Sequence, residues 1–361
     1  MEVMLLAAGL GTRLRPLTYE IPKPIIPVIN KPSISYPLRL LKKYGINKVV
    51  INLCCGTEKI KKYLDEKNRF GLKIEYSEEE HLLGTAGGVK KVERCFKRTF
   101  LVLSADGITN LDLDKALKFH KQKKAIATVV LKEKEKRFKY GIALCDKENR
   151  ITQFIEKPSW SEVFSNTVNT GIYIFEPEVL SYIPPNREYD FGHQLLPFLV
   201  REKKRIYGYL MNDYWIDMGN LKDYRRVQID ILKGKTRIGI KGKEVREELW
   251  LGENSEISPS SIIEPPVVIG NNCRIGKGAK IGKFTVLGDR VIVEKRASLD
   301  RCILWNDILV GEEAKLKDCI LTDFVSIPSR FLMSEGVVMG KEGKSRIRGK
   351  IADRKLIAHS S

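Results

Sequence analysis

The sequence predicts an α/β unit built on a doubly wound, mostly parallel sheet, followed by a β-helix. Three observations carry this. From residue 1 to about 233, short Val/Ile/Leu-rich runs alternate with helical patterns, and that βαβ rhythm builds a parallel sheet covered on both faces. Further on, aliphatic residues recur every six positions at Ile257, Ile263, Ile269, Ile275, Ile281, Leu287, Val293 and Leu299, the strict period of a β-helix. A chain of 361 residues with 43% apolar content is large and apolar enough for two separate cores.

Taken in order, the apolar runs place strands at 3–7, 48–53, 73–76, 100–103 and 125–131. The 3.6-residue periodicities between them place helices at 35–44, 57–64, 88–94 and 113–121. Sheets of this kind bind ligands beyond the carboxyl ends of their strands, so the loops after the first strand, after 76 and after 103 share one edge. Residues 1–233 form the first domain and 234–254 read as a linker. The coil occupies 255–340, with Gly after the aliphatic residue at 270, 276, 282 and 288. Small or apolar side chains stand four places after each aliphatic residue: Ser261, Val267, Cys273, Ala279, Thr285, Val291, Ala297 and Ile303. The phase shifts after Trp305 and resumes at Val310 and Leu316, which carries the coil to about residue 327. The basic segment 341–361 fits either a flexible tail or a strand-like cap.

Composition excludes several classes of function. The net charge is +19, but it is spread through mixed runs such as 132–137. Such runs are solvated surface rather than a nucleic-acid footprint, and the excess suits anionic substrates. No apolar run reaches the length of a membrane span, and no signal-peptide pattern opens the chain. The seven cysteines are odd in number and lack a disulfide framework, so reduced thiols in the cytoplasm are expected. Four histidines and the lack of Cys-x-x-Cys argue against zinc.

The chemistry is announced by the opening segment, Val3-Met4-Leu5-Leu6-Ala7-Ala8-Gly9-Leu10-Gly11-Thr12-Arg13-Leu14-Arg15-Pro16-Leu17-Thr18, followed by Pro22-Lys23-Pro24. Ala8, Gly9 and Gly11 leave room for backbone N–H groups to approach phosphate oxygens. Arg13 and Lys23 add fixed positive charge. A Rossmann fingerprint needs a glycine where Leu14 stands, and a P-loop does not run into Pro16. The stretch as a whole resembles the signature of the sugar-1-phosphate nucleotidyltransferases, which join an NTP to a sugar 1-phosphate and release pyrophosphate. The six-residue repeat likewise resembles the left-handed parallel β-helix of hexapeptide-repeat proteins.

The resemblance is strongest to mannose-1-phosphate guanylyltransferases, which carry such a repeat, and it implies a set of site residues. Leu6, Ala7, Ala8, Gly9, Gly11, Thr12 and Arg13 would hold the nucleotide. Gly84-Thr85-Ala86-Gly87-Gly88 would be the base loop, with Thr85 also placed to cap the next helix. Asp106 and Asp217, in Ser104-Ala105-Asp106-Gly107 and Trp215-Ile216-Asp217-Met218-Gly219, match carboxylates that hold Mg²⁺, a cation that prefers oxygen ligands. Arg13, Lys23, Asp106 and Asp217 are the expected catalytic set. Lys139-Tyr140-Gly141, Glu156-Lys157-Pro158 and Val168-Asn169-Thr170-Gly171 would form the sugar-phosphate side. There Gly141 lets the sugar approach, Glu156 and Asn169 bind hydroxyls, and Lys157 pairs with phosphate.

The implied reaction uses GTP and mannose 1-phosphate, with the coil assembling a homo-oligomer. Thymidylyl, uridylyl or adenylyl transfer to glucose 1-phosphate is the alternative within the class. A non-catalytic regulatory subunit of the same architecture is the alternative outside it, although such relatives tend to lose the charged residues retained here. Acyl transfer by the coil would need a general base, and no histidine lies between His193 and His359.

Overall fold

The computed structural model describes residues 1–65, 70–134, 140–159, 162–341 and 344–351. They divide into two packed units. The first holds Met1–Gly11, Ile21–Ile25 and Ser33–Met218; the second holds Thr12–Glu20, Ile26–Pro32 and Gly219–Ser361.

In the first unit, β1 (Glu2–Leu6) lies at the centre of the sheet, parallel to β2 (Lys48–Leu53) on one side and β4 (Phe100–Ser104) on the other. β3 (Lys73–Glu78) extends the parallel half beyond β2. The other half is largely antiparallel: β8 (Thr167–Phe175) pairs antiparallel with β4, with β5 (Ala127–Glu133) and with β6 (Ile142–Cys145). β7 (Ile151–Ile155) closes one edge as a hairpin with β6, and β9 (Ile206–Leu210) runs parallel to β5.

Successive residues of β1 face opposite cores, as pleating requires. Val3 and Leu5 join Leu38 and Leu41 of α1 (Ser35–Lys43), Ile60 and Leu64 of α2 (Thr57–Asp65), and Ala116 of α4 (Leu113–Gln122). Met4 faces the other core, with Ala86 and Val89 of α3 (Gly84–Lys91) and Leu196 and Leu199 of α5 (Leu196–Arg201). Helices thus cover both faces. α3 begins four residues before the expected 88, because the Tyr189 carbonyl accepts the N–H groups of both Ala86 and Gly87 at 2.9 Å and so satisfies the first turn.

In the second unit, short parallel strands stack in three columns. Register from coil to coil is 18 residues at first, as in Arg274 against Ile292 and Lys280 against Ser298. It then falls to 17, as in Val286 against Ile303, Ile292 against Leu309 and Ser298 against Lys315. The phase shift expected after Trp305 therefore begins earlier, at the corner containing Arg301, where one hexad loses a residue. The inward series continues through Leu304, Val310, Leu316, Leu321, Ile327, Met333 and Val338, all buried.

The expected boundaries move. Leu249–Leu251 pairs parallel with Val267–Ile269, so the coil begins inside the segment read as a linker. α6 (Leu221–Leu232), expected in the first domain, packs with the coil: Trp305 Nε1 donates to Tyr224 Oη at 3.0 Å. Segment Ile26–Pro32 belongs here too. Its Ile29 N–H donates to Gln228 Oε1 at 2.7 Å, and Asn30 Nδ2 donates to the Leu287 carbonyl at 2.6 Å. Of the basic C-terminal segment, Lys344–Ile351 is a strand antiparallel to Leu332–Lys341; 352–361 lie outside the described residues. No helix among the described residues is long and apolar enough to cross a membrane.

Candidate active site

The strand order reverses about β1, whose neighbours are β2 and β4, and this is where an open α/β sheet forms a crevice. The chain leaving β4 is held to β1 by the Ala105 N–H donating to the Leu6 carbonyl at 2.9 Å. Asp106 follows, only 6% exposed. The short strand Trp215–Asp217 pairs antiparallel with Gly107–Thr109 and sets Asp217 opposite Gly107. That register brings the two carboxylates together.

Lys23 meets them. Its ammonium pairs with Asp106 Oδ2 and lies 3.6 Å from Asp217 Oδ1. Ser33 fixes the Lys23 turn, its hydroxyl donating to the Pro24 carbonyl at 2.9 Å and the Lys23 carbonyl at 3.2 Å. Burial pushes the Asp106 carboxyl up, but the Lys23 ammonium and the Ser104 hydroxyl hold it below the usual carboxylate value. Asp106 is therefore ionised at neutral pH. The donors are oxygens only, and among the described residues no group of three or more His, Cys, Asp or Glu side chains forms a metal cluster. Two carboxylates that already converge on a cationic group suit a hard divalent cation completing its shell with phosphate and water.

The opening loop is supported by residues that the sequence reading passed over. Asn52, at the end of β2, accepts from the Ala7 N–H at 2.8 Å and donates to Glu79 Oε1 at 2.7 Å; Glu79 Oε2 accepts from the Leu83 N–H at 3.0 Å. This buried relay joins the segment after β1 to the segment before α3. Its one signal in the sequence is Asn52, a lone amide interrupting an apolar run. The Ala7 N–H, expected on the nucleotide, is used inside the protein. Ala8 is buried and Leu6 half-buried, while Gly9 is exposed, with nothing within 4 Å of the position a Cβ would take. Gly11 takes a φ of +63°. Thr12 and Arg13 are exposed, in the short helix Thr12–Leu14, and group with the second unit.

The Gly84–Gly88 loop is small for reasons of packing. Gly84 has a φ of +73°, and a Cβ there would lie 2.6 Å from the Tyr189 carbonyl oxygen; a Cβ on Gly87 would lie 2.6 Å from that of Arg187, and one on Gly88 2.6 Å from Glu79 Oε1. Thr85 does not cap α3, whose N-cap is Leu83 without a side-chain bond. Its hydroxyl donates to Asp190 Oδ2 at 2.8 Å and accepts from the Phe191 N–H at 2.9 Å.

Gly141, Glu156 and Asn169 come together. The Asn169 N–H donates to the Gly141 carbonyl at 2.7 Å, and Gly141 leaves room for Glu156, whose carboxylate a Cβ would overlap. Burial, with Asp190 adding to it and Lys157 opposing, pushes the Glu156 carboxyl up to about 7. The Asn169 side chain donates to Tyr173 Oη at 2.7 Å and accepts from the Gly171 N–H at 3.0 Å. Lys157 is exposed in the left-handed region, with φ 49°. Lys139 lies outside the described residues.

The family described as nucleotidyl transferase matches residues 2–234, and that described as GMPPB C-terminal domain matches 245–357. A UTP–glucose-1-phosphate uridylyltransferase of Synechocystis sp. is 40% identical over 70% of this chain and 69% of its own. A mannose-1-phosphate guanylyltransferase of Mycobacterium tuberculosis is 31% identical over 73% of each. A mannose-1-phosphate guanyltransferase of Candida albicans is 35% identical over 62% of each, so this alignment spans less than two thirds of that relative.

Proposed function

Since the chain belongs to the nucleotidyl transferase family, we propose that it transfers a nucleotidyl group from GTP to mannose 1-phosphate, giving GDP-mannose and pyrophosphate. The observation that carries the reaction class is the convergence of Asp106 and Asp217 on Lys23 at the carboxyl end of the central strands. The match of residues 245–357 to a GMPPB C-terminal domain supports the choice of substrates. The Synechocystis relative favours a second reading, UTP with glucose 1-phosphate.

The chemistry follows from charge. An oxygen of the sugar phosphate attacks the α-phosphorus in line, the bond to the β-phosphate breaks, and pyrophosphate departs. The attacking oxygen is already ionised, so no general base is required; the protein must position two polyanions and offset their repulsion. Lys23 serves the α-phosphate, Arg13 the departing pyrophosphate and Lys157 the attacking phosphate. Glu156 accepts from sugar hydroxyls when ionised, beside Asn169. Bound by Asp106 and Asp217, Mg²⁺ would neutralise charge on the reacting phosphates.

The coil would assemble copies of the chain, in keeping with exposed Ile262 and Phe324 on the second unit, and the cysteines, none in a disulfide, fit a cytoplasmic setting. Measuring pyrophosphate release over a matrix of five NTPs and several sugar 1-phosphates tests the reading. GTP with mannose 1-phosphate should give the highest kcat/KM. Preference for UTP with glucose 1-phosphate would establish the second reading, and no turnover with any pair would leave a regulatory subunit.

A further inference from the structure

Cys54 and Cys55 are adjacent in the chain, immediately after β2, and their Sγ atoms stand 3.8 Å apart. Cys55 is exposed, Cys54 is half-buried, and neither is in a disulfide. The loop carrying them is tied at both ends to the candidate site. On one side, the Leu53 carbonyl accepts from the Glu79 N–H at 2.7 Å, and Asn52 is the centre of the relay to Ala7 and Leu83. On the other side, Gly56 turns the chain with a φ of +65° and packs so closely on Pro22 that a Cβ would overlap the ring. Pro22 is the residue before Lys23.

We propose that Cys54 and Cys55 form a thiol–disulfide modification site that closes to a vicinal disulfide by exchange with a low-molecular-weight disulfide, and that closure disturbs the adjacent Lys23 turn. The exposed Cys55 reacts first. Its thiolate attacks one sulfur of the small disulfide and expels a thiolate, leaving a mixed disulfide on Cys55. Cys54 then gives up its proton and attacks Cys55 Sγ, expelling the second thiolate. The two protein thiols are oxidised, the small disulfide is reduced to two thiols, and two protons are shared among the products. Burial, with Cys55 and Glu79 adding to it, raises the Cys54 thiol above its ordinary value, which fits a resolving rather than an attacking role. Drawing the sulfurs to about 2 Å must displace a loop whose flanks are pinned at Glu79 and Pro22.

The chemistry is read without any assay of activity. Reduced full-length protein is treated with glutathione disulfide, then analysed by intact mass and by alkylation mapping. The native chain should lose two hydrogens, with Cys54 and Cys55 both blocked to alkylation and no glutathione retained. Cys54→Ser should instead hold one glutathione on Cys55, and Cys55→Ser should leave Cys54 unmodified. Lasting glutathione on the native pair, or two free thiols there, would overturn the site. Coupling is read by hydrogen exchange, which should rise several-fold over residues 21–25 on ring closure and return with dithiothreitol. The double serine variant should show no such change, and an unchanged segment in the oxidised native chain would overturn the coupling. A fall in transferase rate on oxidation rests on the proposed function. A reduced protein with no turnover would refute that reading, while the mass and exchange data still decide this one.

Discussion

Asp217 and Asp106 lie far apart in sequence, and only the pairing of Trp215–Asp217 with Gly107–Thr109 sets them side by side. Asp217→Asn keeps the shape of that strand and removes one negative charge. It should lower turnover at least about 100-fold and weaken Mg²⁺ binding seen by calorimetry, with an unchanged circular dichroism spectrum. Near-normal turnover at saturating Mg²⁺ would remove Asp217 from the site. Glu156 makes a different prediction. Its folded value of about 7 lies above the ordinary 4.5, so its own contribution to stability is most favourable below about 4.5, where folded and unfolded chains both hold the proton. Between about 4.5 and about 7 the unfolded chain gives up its proton first, and stability falls; above about 7 the loss is complete. Its size is on the order of 3 kcal/mol at most. Glu156→Gln removes this dependence, so urea titrations should show the variant gaining on the native protein as pH rises through that window and no further beyond it. A constant difference from pH 4.5 to 8 would show that Glu156 titrates normally.

Individual elements show why the coil was easier to read than the sheet. Inward residues must recur at a fixed interval to fill a narrow prism, so a period of six is written directly in the sequence. The step to five is set at a corner by backbone conformation. Arg301, Asp318 and Glu335, 17 residues apart, take φ values of 50°, 52° and 57°, and no hydrophobic pattern marks such turns. Left-handed backbone at non-glycine corners costs energy, and neighbouring coils offset some of it through stacked ion pairs: Arg301 grips Asp318 with two bonds of 2.7 Å, and Arg290 grips Asp307 at 2.5 and 2.7 Å.

A ladder of Asn and Asp side chains runs beside them, with Asn271, Asp289, Asn306 and Asp323 each accepting the backbone N–H of the ladder residue, or of Glu253, one coil earlier. Asn306→Ala would leave the Asp289 N–H without its acceptor and should cost about 1–3 kcal/mol, read as a lower urea midpoint; a loss under about 0.3 kcal/mol would mean that solvent replaces the bond. In the sheet, β5 and β8 are buried on both faces, so their apolar runs do not alternate and say nothing of direction. The antiparallel half was therefore illegible. The glycines of 84–88 were legible as a motif, but their reason, close approach of Arg187, Tyr189 and Glu79, depends on contacts from distant segments.

For the whole molecule, composition and repeat pattern gave two units, but not their membership. Val28 and Ile29 are fully buried and belong to the unit that also holds Thr12–Glu20 and everything from Gly219 on, and nothing local in Ile26–Pro32 announces partners in α6 and the coil. A cut near Lys241, at the boundary the sequence suggests, would strip Asn30 of its Leu287 partner and the buried Tyr224 of its Trp305 partner. The fragment ending there should aggregate or lose near-ultraviolet circular dichroism, as judged by size-exclusion chromatography and spectroscopy. A monodisperse fragment with native dichroism would show that the early segment can be satisfied without the coil.

That membership sets an order of events during synthesis. Ile29 and its partner Gln228 are 199 residues apart, and Asn30 and Leu287 are 257 apart. At about 5–20 residues per second, a ribosome needs on the order of ten seconds to a minute to supply the partners of a segment it made almost at once. Over that interval Val28 and Ile29 are an apolar stretch on an unfinished chain, a natural foothold for a chaperone. Shortening the wait, by circular permutation that brings 26–32 next to the coil, should lessen dependence on such help.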